Sequence, residues 1–501
     1  MGWITVTIAV PLIAALVLAF APELEATGVR IVGLVGSIGA FLASVVLAVQ
    51  FDLSDANLQL AETFEWIPAL DANASLAVDG VSLLLILLTT LLTPLILVAS
   101  WEEISDRLRG YVAAFLVLEA AVVGVFAATD LLLFYVFFEF TLVPMYLIIG
   151  IWGGAQRKYA AVKFFLYTLL GGLLMLVAIL YLYGQAGSFS YEAVLALDLD
   201  PEVQRWLFGA FVVAFAVKVP LFPVHTWLPD AHTEAPTGGS VFLAGVLLKM
   251  GTFGLLRYAL PIFPDATIQF APWLLGISVV GILYGAVVAL MQADIKKLVA
   301  YSSVSHMGFV VLGTFALNTT ATSASVVQMV NHGLSTGALF LLIGFLYERR
   351  HTRQIAAFGG LAKRVPVMAG LWLVVSLSSL ALPGLNGFVG EFPILLGTFQ
   401  TNRTAAVMAA FGAVLAALYL LWAYQRLFHG PLEGADNENT ADLKAREIGV
   451  MAPLIVLIVA IGLYPKPLFD LVEPSVDRVL VEVGVEELPV EPAAAVTREE
   501  G

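Results

Sequence analysis

Apolar residues in this chain recur in blocks of about 20, which is the length of helix that crosses a lipid bilayer. The composition agrees with these blocks, because 60% of the residues are hydrophobic and only 12% are charged. An average soluble protein has about 25% charged residues. Since backbone exposed to lipid must satisfy its own hydrogen bonds, we predict an all-α polytopic membrane protein.

The spacing of the blocks predicts about fourteen transmembrane helices. The first block ends in a sequence typical of signal-peptide cleavage sites, but no Lys or Arg precedes it, so we interpret it as a retained span. The expected limits are 3–21, 29–50, 79–100, 111–129, 131–151, 160–183, 206–235, 238–260, 272–292, 298–316, 324–347, 366–400, 404–427 and 448–465.

The loops between these spans differ in basic residues from one side of the membrane to the other. One side holds 16 Lys and Arg residues and the other side holds 6. Cytoplasmic loops carry the excess of Lys and Arg. We therefore expect both termini on the periplasmic side of a cell inner membrane. The predicted outer loop 51–78 has no Lys or Arg, in agreement with that side.

Two further segments lie at the predicted membrane surfaces. Asp294, Lys296 and Lys297 begin the tenth span, and we interpret them as an interfacial anchor. The segment 473–501 is acidic and contains three prolines, which predicts an extended or partly disordered outer tail.

Several classes of function are disfavoured by the composition. With no cysteine, the chain forms no disulfides and no thiolate iron–sulfur clusters. It contains no G-x-G-x-x-G and no Walker A run. The net charge of −14 argues against nucleic acid as a partner. We expect no redox cofactor, nucleotide or metal in this chain.

Four charged residues inside predicted spans stand out as candidates: Glu139, Lys218, Lys249 and Glu391. A charge within the bilayer costs several kcal/mol, so such residues are functional candidates by default. The alternative is that they form buried ion pairs that only fix helix packing.

Prolines and glycines accompany two of these charges. Lys218 is followed by Pro220 and Pro223, and Glu391 follows Pro383 and a series of glycines. Such residues interrupt helices, and interrupted helices at the midplane are typical of transporters built from inverted repeats. The two lie five spans apart. We predict a first repeat at 111–260 (helices 4–8) and a second at 272–430 (helices 9–13), with helices 1–3 and the outer loop at 1–110.

The histidines supply further candidates. His332 lies in mid-span and suits a proton relay, although it could also be a packing residue. His306 lies among serines, which could line a hydrated path or only pack. His225 and His232 share a helix face, but the only other local ligands are Asp230 and Glu234, so a metal site is disfavoured.

These groups suggest a proton-transfer mechanism. A buried lysine beside a carboxylate can gain or lose its proton as the pair closes or separates. Our hypothesis is that Glu139 sets the charge of Lys218, that Lys249 is the central carrier, and that Glu391 is the exit-side group.

The sequence around these residues resembles the antiporter-like subunits of proton-pumping NADH:quinone oxidoreductase, respiratory complex I. The resemblance covers roughly 70–465. Within that family, the chain resembles the M type (mitochondrial chain 4), because Glu391 stands where related subunits typically have Lys. The matching runs are VDGVSLLLILLTTLLTPL at 78–95, YVFFEFTLVPMYLIIGIWGG at 135–154, KVPLFPVHTWLPDAHTEAPTGGSVFLAGVLLKMG at 218–251, DIKKLVAYSSVSHMGFV at 294–310, NHGLSTGALFLLIGFLYERRHTRQI at 331–355 and LPGLNGFVGEF at 382–392.

The resemblance implies fourteen helices with two inverted five-helix repeats. It also implies a proton path through Glu139, Lys218, Lys249, His332 and Glu391, to which we add His225 and His306 as a secondary path. NADH, FMN, iron–sulfur clusters and quinone would belong to partner subunits, and neighbouring antiporter-like and other membrane-arm subunits would be the partners.

Three alternatives remain open at this point. The chain could be a subunit of a multi-subunit cation/proton antiporter, or part of the membrane arm of a hydrogenase- or ferredoxin-linked complex. It could also be a scaffold subunit whose channels no longer conduct.

Overall fold

Helices occupy each of the stretches in which the sequence predicts a span, and the computed structural model describes residues 2–485 of the chain. The helices of the first part are α1 Trp3–Phe20, α2 Ala26–Gln50, α3 Gly80–Ala99, α4 Leu108–Ala127, α5 Leu131–Phe140, α6 Leu142–Trp152, α7 Arg157–Ala186, α8 Tyr191–Leu195, α9 Pro201–Lys218 and α10 Trp227–Glu234.

The second part begins with a continuous helix over Thr237–Ile262, which contains two π-helical turns, Leu243–Leu247 and Leu255–Ala259. The helices of this part are α11 Thr237–Phe242, α12 Leu248–Gly254, α13 Leu260–Ile262, α14 Pro264–Leu290, α15 Ile295–Thr314, α16 Thr319–Arg350, α17 Pro366–Ser379, α18 Asn386–Thr401, α19 Arg403–Phe428, α20 Ala435–Glu438, α21 Ala445–Leu463 and α22 Lys466–Val483.

Among the described residues, 11 helices are long and apolar enough to cross a membrane. The predicted spans that fall outside this group are the two interrupted helices, α9 with α10 and α17 with α18, and the more polar α15. The chain is therefore a predominantly helical, multi-pass membrane protein. We call the end of the helix bundle that carries Arg109, Lys296 and Arg353 the basic end, and the opposite end the hairpin end.

Two long helices lie at the centre of the bundle. The Thr237–Ile262 helix and α16 are enclosed by the other helices along their apolar length. They touch where glycines allow it, because a Cβ added at Gly333 would lie 2.8 Å from the carbonyl oxygen of Gly245. Such close packing of small residues is typical of helix contacts in membranes. These two helices carry Lys249 and His332.

The interruption predicted after Lys218 is present, and it separates α9 from α10 over residues 219–226. Proline cannot donate a backbone hydrogen bond, so helical carbonyls near the break lose their partners. The indole Nε1 of Trp227 donates to the carbonyl of Val217 at 2.8 Å and replaces one of them.

The second interruption separates α17 from α18 over residues 380–385. Ala381 and Gly384 both have positive φ angles, 61° and 91°, which end the helical path. The side chain of Asn386 then ties the two halves together, because its Oδ1 accepts from Ser378 Oγ at 2.5 Å.

The outer loop 51–78 contains a β-hairpin, which the all-α prediction did not include. Strands β1 Gln59–Ile67 and β2 Ala72–Val78 form an antiparallel hairpin. The carboxylate of Glu62 accepts from the amide of Ile4 at 2.8 Å, so the hairpin is fastened to the first turn of α1.

The prediction of an extended tail from 473 was wrong over 473–483, which belongs to α22. The reason is an apolar stripe of helical period, in which Val472, Val476, Val479 and Val483 are buried. Ser475 also accepts the amide of Gly80 at 3.1 Å, so α22 is fastened to the start of α3. The rest of the predicted tail, 486–501, lies outside the described residues.

Candidate functional site

The first candidate acid, Glu139, lies on α5 opposite a glycine of α7. A Cβ added at Gly172 would lie 1.7 Å from Glu139 Oε1, so the carboxyl group occupies the space that the glycine leaves free. Both carboxyl oxygens are buried, and neither has a hydrogen-bond partner among the described residues. A buried polar group without a partner is rare in native structures and points to water or to a functional role.

Lys218 is the last residue of α9 and is 1% exposed. Its Nζ is 3.4 Å from Thr141 Oγ1, which is its one hydrogen-bond partner among residues 2–485. The ammonium lies over the ring of Phe138, 4.8 Å from the centroid, where the face of the ring attracts a cation. The C-terminus of α9 also favours positive charge at this position.

Lys249 lies at the centre of the molecule and is 0% exposed. Its Nζ is 2.7 Å from His332 Nδ1. Nζ also donates to the carbonyl of Ala244, which lies in the first π-helical turn. At this distance the amine can donate a hydrogen bond to the imidazole nitrogen, which is the geometry that a proton transfer between the two requires.

The second buried pair joins His306 of α15 to Glu391 of α18. His306 Nδ1 is 2.7 Å from Glu391 Oε1, and the amide nitrogen of Gln328 donates to the same oxygen at 3.0 Å. On its other side, His306 Nε2 is 3.1 Å from the hydroxyl of Tyr419. Tyr419 can donate to Nε2 while Nδ1–H donates to the carboxylate, which satisfies both ring nitrogens.

The two pairs lie next to each other, since the rings of His306 and His332 are 6.0 Å apart between centroids. Both histidines line a cavity of about 10 Å³, which is roughly the space of one water. We call Lys249, His332, His306 and Glu391 the central row. Sequence reasoning proposed all four residues but did not foresee either pair.

The remaining candidates lie apart from the central row. The backbone at Lys218 packs against the helix that carries Lys249, because a Cβ added at Gly251, two residues after Lys249, would lie 3.1 Å from Lys218 Cβ. His225 lies in the first interruption, with its ring 5.1 Å from that of Tyr284. It makes no contact with the row. Within the described ranges, no group of three or more His, Asp or Glu is placed to hold a metal ion.

Sequence reasoning missed another buried acid. Glu119 of α4 is 0% exposed, and its two oxygens have no hydrogen-bond partner in the described part of the chain. The signal was present, because Glu119 is an acid in the middle of an apolar run of 20 residues. The rule that singled out Glu139 applies to it equally.

The interpretation of Lys296 as an interfacial anchor was wrong. Asp294 caps α15, accepting from the amide of Lys296 at 2.8 Å, and the side chain of Lys296 enters the protein rather than the lipid interface. Lys296 is 7% exposed and donates to the carbonyl of Ala235 at 2.6 Å. The cause is the unpaired carbonyl at the end of α10, which attracts a cation.

Comparison with known proteins gives consistent results. Residues 128–416 match the family described as NADH:quinone oxidoreductase/Mrp antiporter, TM. The chain is 43% identical to NADH-ubiquinone oxidoreductase chain 4 of Arabidopsis thaliana over 471 residues, which covers 94% of this chain and 95% of the relative. It is 46% identical to NADH-quinone oxidoreductase subunit M of Rhodobacter capsulatus over 458 residues, 89% of each chain.

A solved structure shares the whole fold. It is a chain of respiratory complex I from Thermus thermophilus with bound NADH, with a TM-score of 0.88 and 31% sequence identity. The superposition covers 96% of this chain and 99% of the other.

Proposed function

The chain belongs to the family of NADH:quinone oxidoreductase and Mrp antiporter transmembrane subunits, and from that premise we propose a proton path through its buried charges. It is a proton-translocating membrane subunit of an NADH:quinone oxidoreductase, respiratory complex I, of the M or chain 4 type. The main support for the proposed path is the central row, in which two hydrogen-bonded pairs are separated by one small cavity.

In this proposal, Lys249 is the central carrier and Glu391 is the exit-side group. A proton passes from the Lys249 amine to His332, through one water to His306, and on to the Glu391 carboxylate. Only N–H and O–H bonds form and break, so the step requires no cofactor in this chain. An imidazole ring can accept a proton at one nitrogen and release one from the other, which suits both histidines for the relay.

Glu139 and Lys218 form the other half of the path. Neither has a charged hydrogen-bond partner among the described residues, so in this proposal the proton affinity of each responds to the charge on the other. Moving one proton against 100 mV costs about 2.3 kcal/mol. Since one pK unit is about 1.36 kcal/mol, a change of roughly two units in proton affinity is sufficient.

The two interrupted helices support a division of the chain into inverted repeats, 111–260 and 272–430. α9 runs from the hairpin end to its break, whereas α17 runs from the basic end to its break. Each break lies beside an ionisable residue of the path. We propose fourteen transmembrane helices in total. These are the 11 long apolar helices, the two interrupted spans (α9 with α10, and α17 with α18) and α15.

The basic end faces the cytoplasm in this proposal, because cytoplasmic loops carry the excess of Lys and Arg. Both termini are then periplasmic and the membrane is the cell inner membrane. The partners are other subunits of complex I, including neighbouring antiporter-like subunits. We assign NADH, FMN, iron–sulfur clusters and quinone to those partners. For the clusters, the assignment agrees with the lack of cysteine to supply thiolate ligands in this chain.

The experiment that tests the path replaces the central carrier. Lys249→Met keeps the apolar stem and removes the amine, so we expect proton pumping in membrane vesicles to fall by at least about tenfold, with the chain still assembled. Lys158→Met is the matched control, because Lys158 is exposed at the basic end. Normal pumping by Lys249→Met would overturn the central-carrier role.

A further inference from the structure

A separate polar cavity of about 210 Å³ lies at the basic end, outside the central row. Its wall includes Glu103, Thr237, Lys296 and Phe340, and its rim includes Tyr347, which is 41% exposed. The cavity therefore opens toward solvent at this end. A water molecule has a share of about 30 Å³ in the liquid, so the cavity has room for several waters. We call it the basic-end vestibule.

Glu103 connects the vestibule to the helix that carries Lys249. Its Oε1 accepts from the amide of Thr237 at 3.0 Å and from Thr237 Oγ1 at 2.9 Å. Thr237 is the first residue of α11, so the carboxylate holds the start of this helix. Oε2 is buried and has no hydrogen-bond partner among residues 2–485, although buried carboxylate oxygens normally have one. Water in the vestibule would satisfy it.

Two cationic side chains form another part of the wall. Lys296 Nζ donates to the carbonyl of Ala235 at 2.6 Å, and Arg353 Nε lies 3.2 Å from Asp294 Oδ2. The carboxylates of Glu103 and Glu234 line the same cavity, so its wall carries both signs of charge. Protons can move along hydrogen-bonded water and carboxyl groups in such a cavity.

His232 lies between the vestibule and the centre of the molecule. It is 0% exposed, and neither ring nitrogen has a hydrogen-bond partner in the described part of the chain. Its ring stacks on Phe340 of the vestibule wall, with 4.6 Å between centroids. The path described above does not use this histidine.

The remaining gap runs along α16. Phe340 and His332 are eight residues apart, which is about 12 Å of helix. Thr336 lies between them, is 2% exposed, and lines the same small cavity as His332. His232 and Thr336 are therefore buried polar side chains between the vestibule and the Lys249–His332 pair.

We propose that the basic-end vestibule is the proton-uptake port of the Lys249–His332 pair. Glu103 exchanges a proton with solvent, water carries it to an unpaired ring nitrogen of His232, and a second water passes it to the central pair. Every step forms one N–H or O–H bond and breaks another. The inference rests on the proposed proton path and adds the group that loads it.

Thiol labelling tests whether the vestibule is open to water. The natural chain has no cysteine, so Thr237→Cys introduces a unique thiol in it. The matched control is Thr252→Cys, since Thr252 lies on the same helix, is 0% exposed and contacts Met329 rather than the vestibule. The assembled complex is placed in vesicles with the basic end outside, and a membrane-impermeant methanethiosulfonate is added. The mass of the chain then shows whether the thiol has been labelled. We expect labelling of Thr237→Cys only. No labelling, or equal labelling of both variants, would overturn the proposal.

Isosteric replacement tests the role of Glu103. In Glu103→Gln the amide oxygen still accepts from Thr237, so the helix start is retained while the exchangeable carboxyl proton is lost. We expect proton pumping to fall at least about fivefold, a change of roughly 1 kcal/mol in the barrier, with Glu103→Asp restoring at least half of it. Glu102→Gln is the neighbouring control, because Glu102 binds Lys444 at 2.7 Å outside the vestibule. Normal pumping by Glu103→Gln, while Lys249→Met is inactive, would overturn the vestibule and leave the central path standing.

Discussion

The two halves of the proton path hold their charges in different ways. The Glu139 carboxyl group occupies the space left by Gly172, the Lys218 ammonium lies against the ring of Phe138, and neither has a charged hydrogen-bond partner among the described residues. Lys249 and Glu391 are each bonded at 2.7 Å to a histidine. An unpaired buried charge costs several kcal/mol, whereas a well-bonded one recovers much of that cost. We therefore interpret the first half as the part whose protonation responds to a nearby charge, and the second half as the part that transfers a proton between hydrogen-bonded groups.

The largest effect that separates the halves is expected for Glu391→Gln. The substitution removes the proton-accepting carboxylate and weakens the charge-assisted bonds from His306 and Gln328, which are worth about 1.5–3 kcal/mol each when fully lost. Proton pumping should fall by at least about tenfold, and the purified complex should lose the chain at a lower temperature. A variant that pumps and resists heating like the wild type would contradict the conducting role of this half.

Glu139→Gln should separate pumping from stability. Proton pumping should again fall by about tenfold, because the charge that acts on Lys218 is removed. The chain should stay assembled at an unchanged or higher temperature, since the substitution removes a buried charge that has no hydrogen-bond partner among the described residues. Heating of the two purified variants side by side checks this, and equal destabilisation of both would remove the distinction between the halves.

Gly172→Ala tests the space around Glu139. An added methyl group would lie 1.7 Å from Glu139 Oε1 and must displace the carboxyl group. We expect a loss of pumping of about threefold, a barrier change of roughly 0.7 kcal/mol. Gly184→Ala on the same helix is the control, because nothing lies within 4 Å of its added Cβ. Identical pumping rates for the two variants would show that the position of the Glu139 carboxyl group does not matter.

Tyr419→Phe should have the smallest effect. It removes only the hydroxyl that lies 3.1 Å from His306 Nε2, the nitrogen that receives the proton because Nδ1 faces Glu391, and a water can take the place of that hydroxyl. A hydrogen bond of this kind contributes about 0.5–1.5 kcal/mol to stability. Because a water can replace the hydroxyl, we expect only about 0.5 kcal/mol in the barrier, so pumping should fall about twofold. A total loss of pumping would place Tyr419 on the path itself.

The sequence predicted the helices and most of the charged residues because both follow from local rules. An apolar block of bilayer length is visible without any knowledge of neighbours, and so is a charge within it. The same rule applied to Glu119 would have found it. The interruptions beside Lys218 and Glu391 were also predictable, since proline acts on its own helix.

The pairings could not be predicted, because they join residues that are distant along the chain. Lys249 and His332 are 83 residues apart, and His306 and Glu391 are 85 apart. The hydrogen bond of Lys296 to Ala235 likewise depends on how α10 ends beside α15. The tail prediction failed for another reason, because acidic composition outweighed the helical spacing of the valines in α22.

The central claim is that protons reach Glu391 through the two histidines. Infrared difference spectroscopy of membranes during NADH-driven turnover tests it most directly, with the protonated-carboxyl band of Glu391 assigned by its loss in Glu391→Gln. His306→Phe keeps a ring of similar size and removes both proton-carrying nitrogens. The account predicts that the Glu391 band changes during turnover in the wild type and stays constant in His306→Phe. An unchanged turnover signal in His306→Phe would show that protons reach Glu391 by another route and would contradict the account.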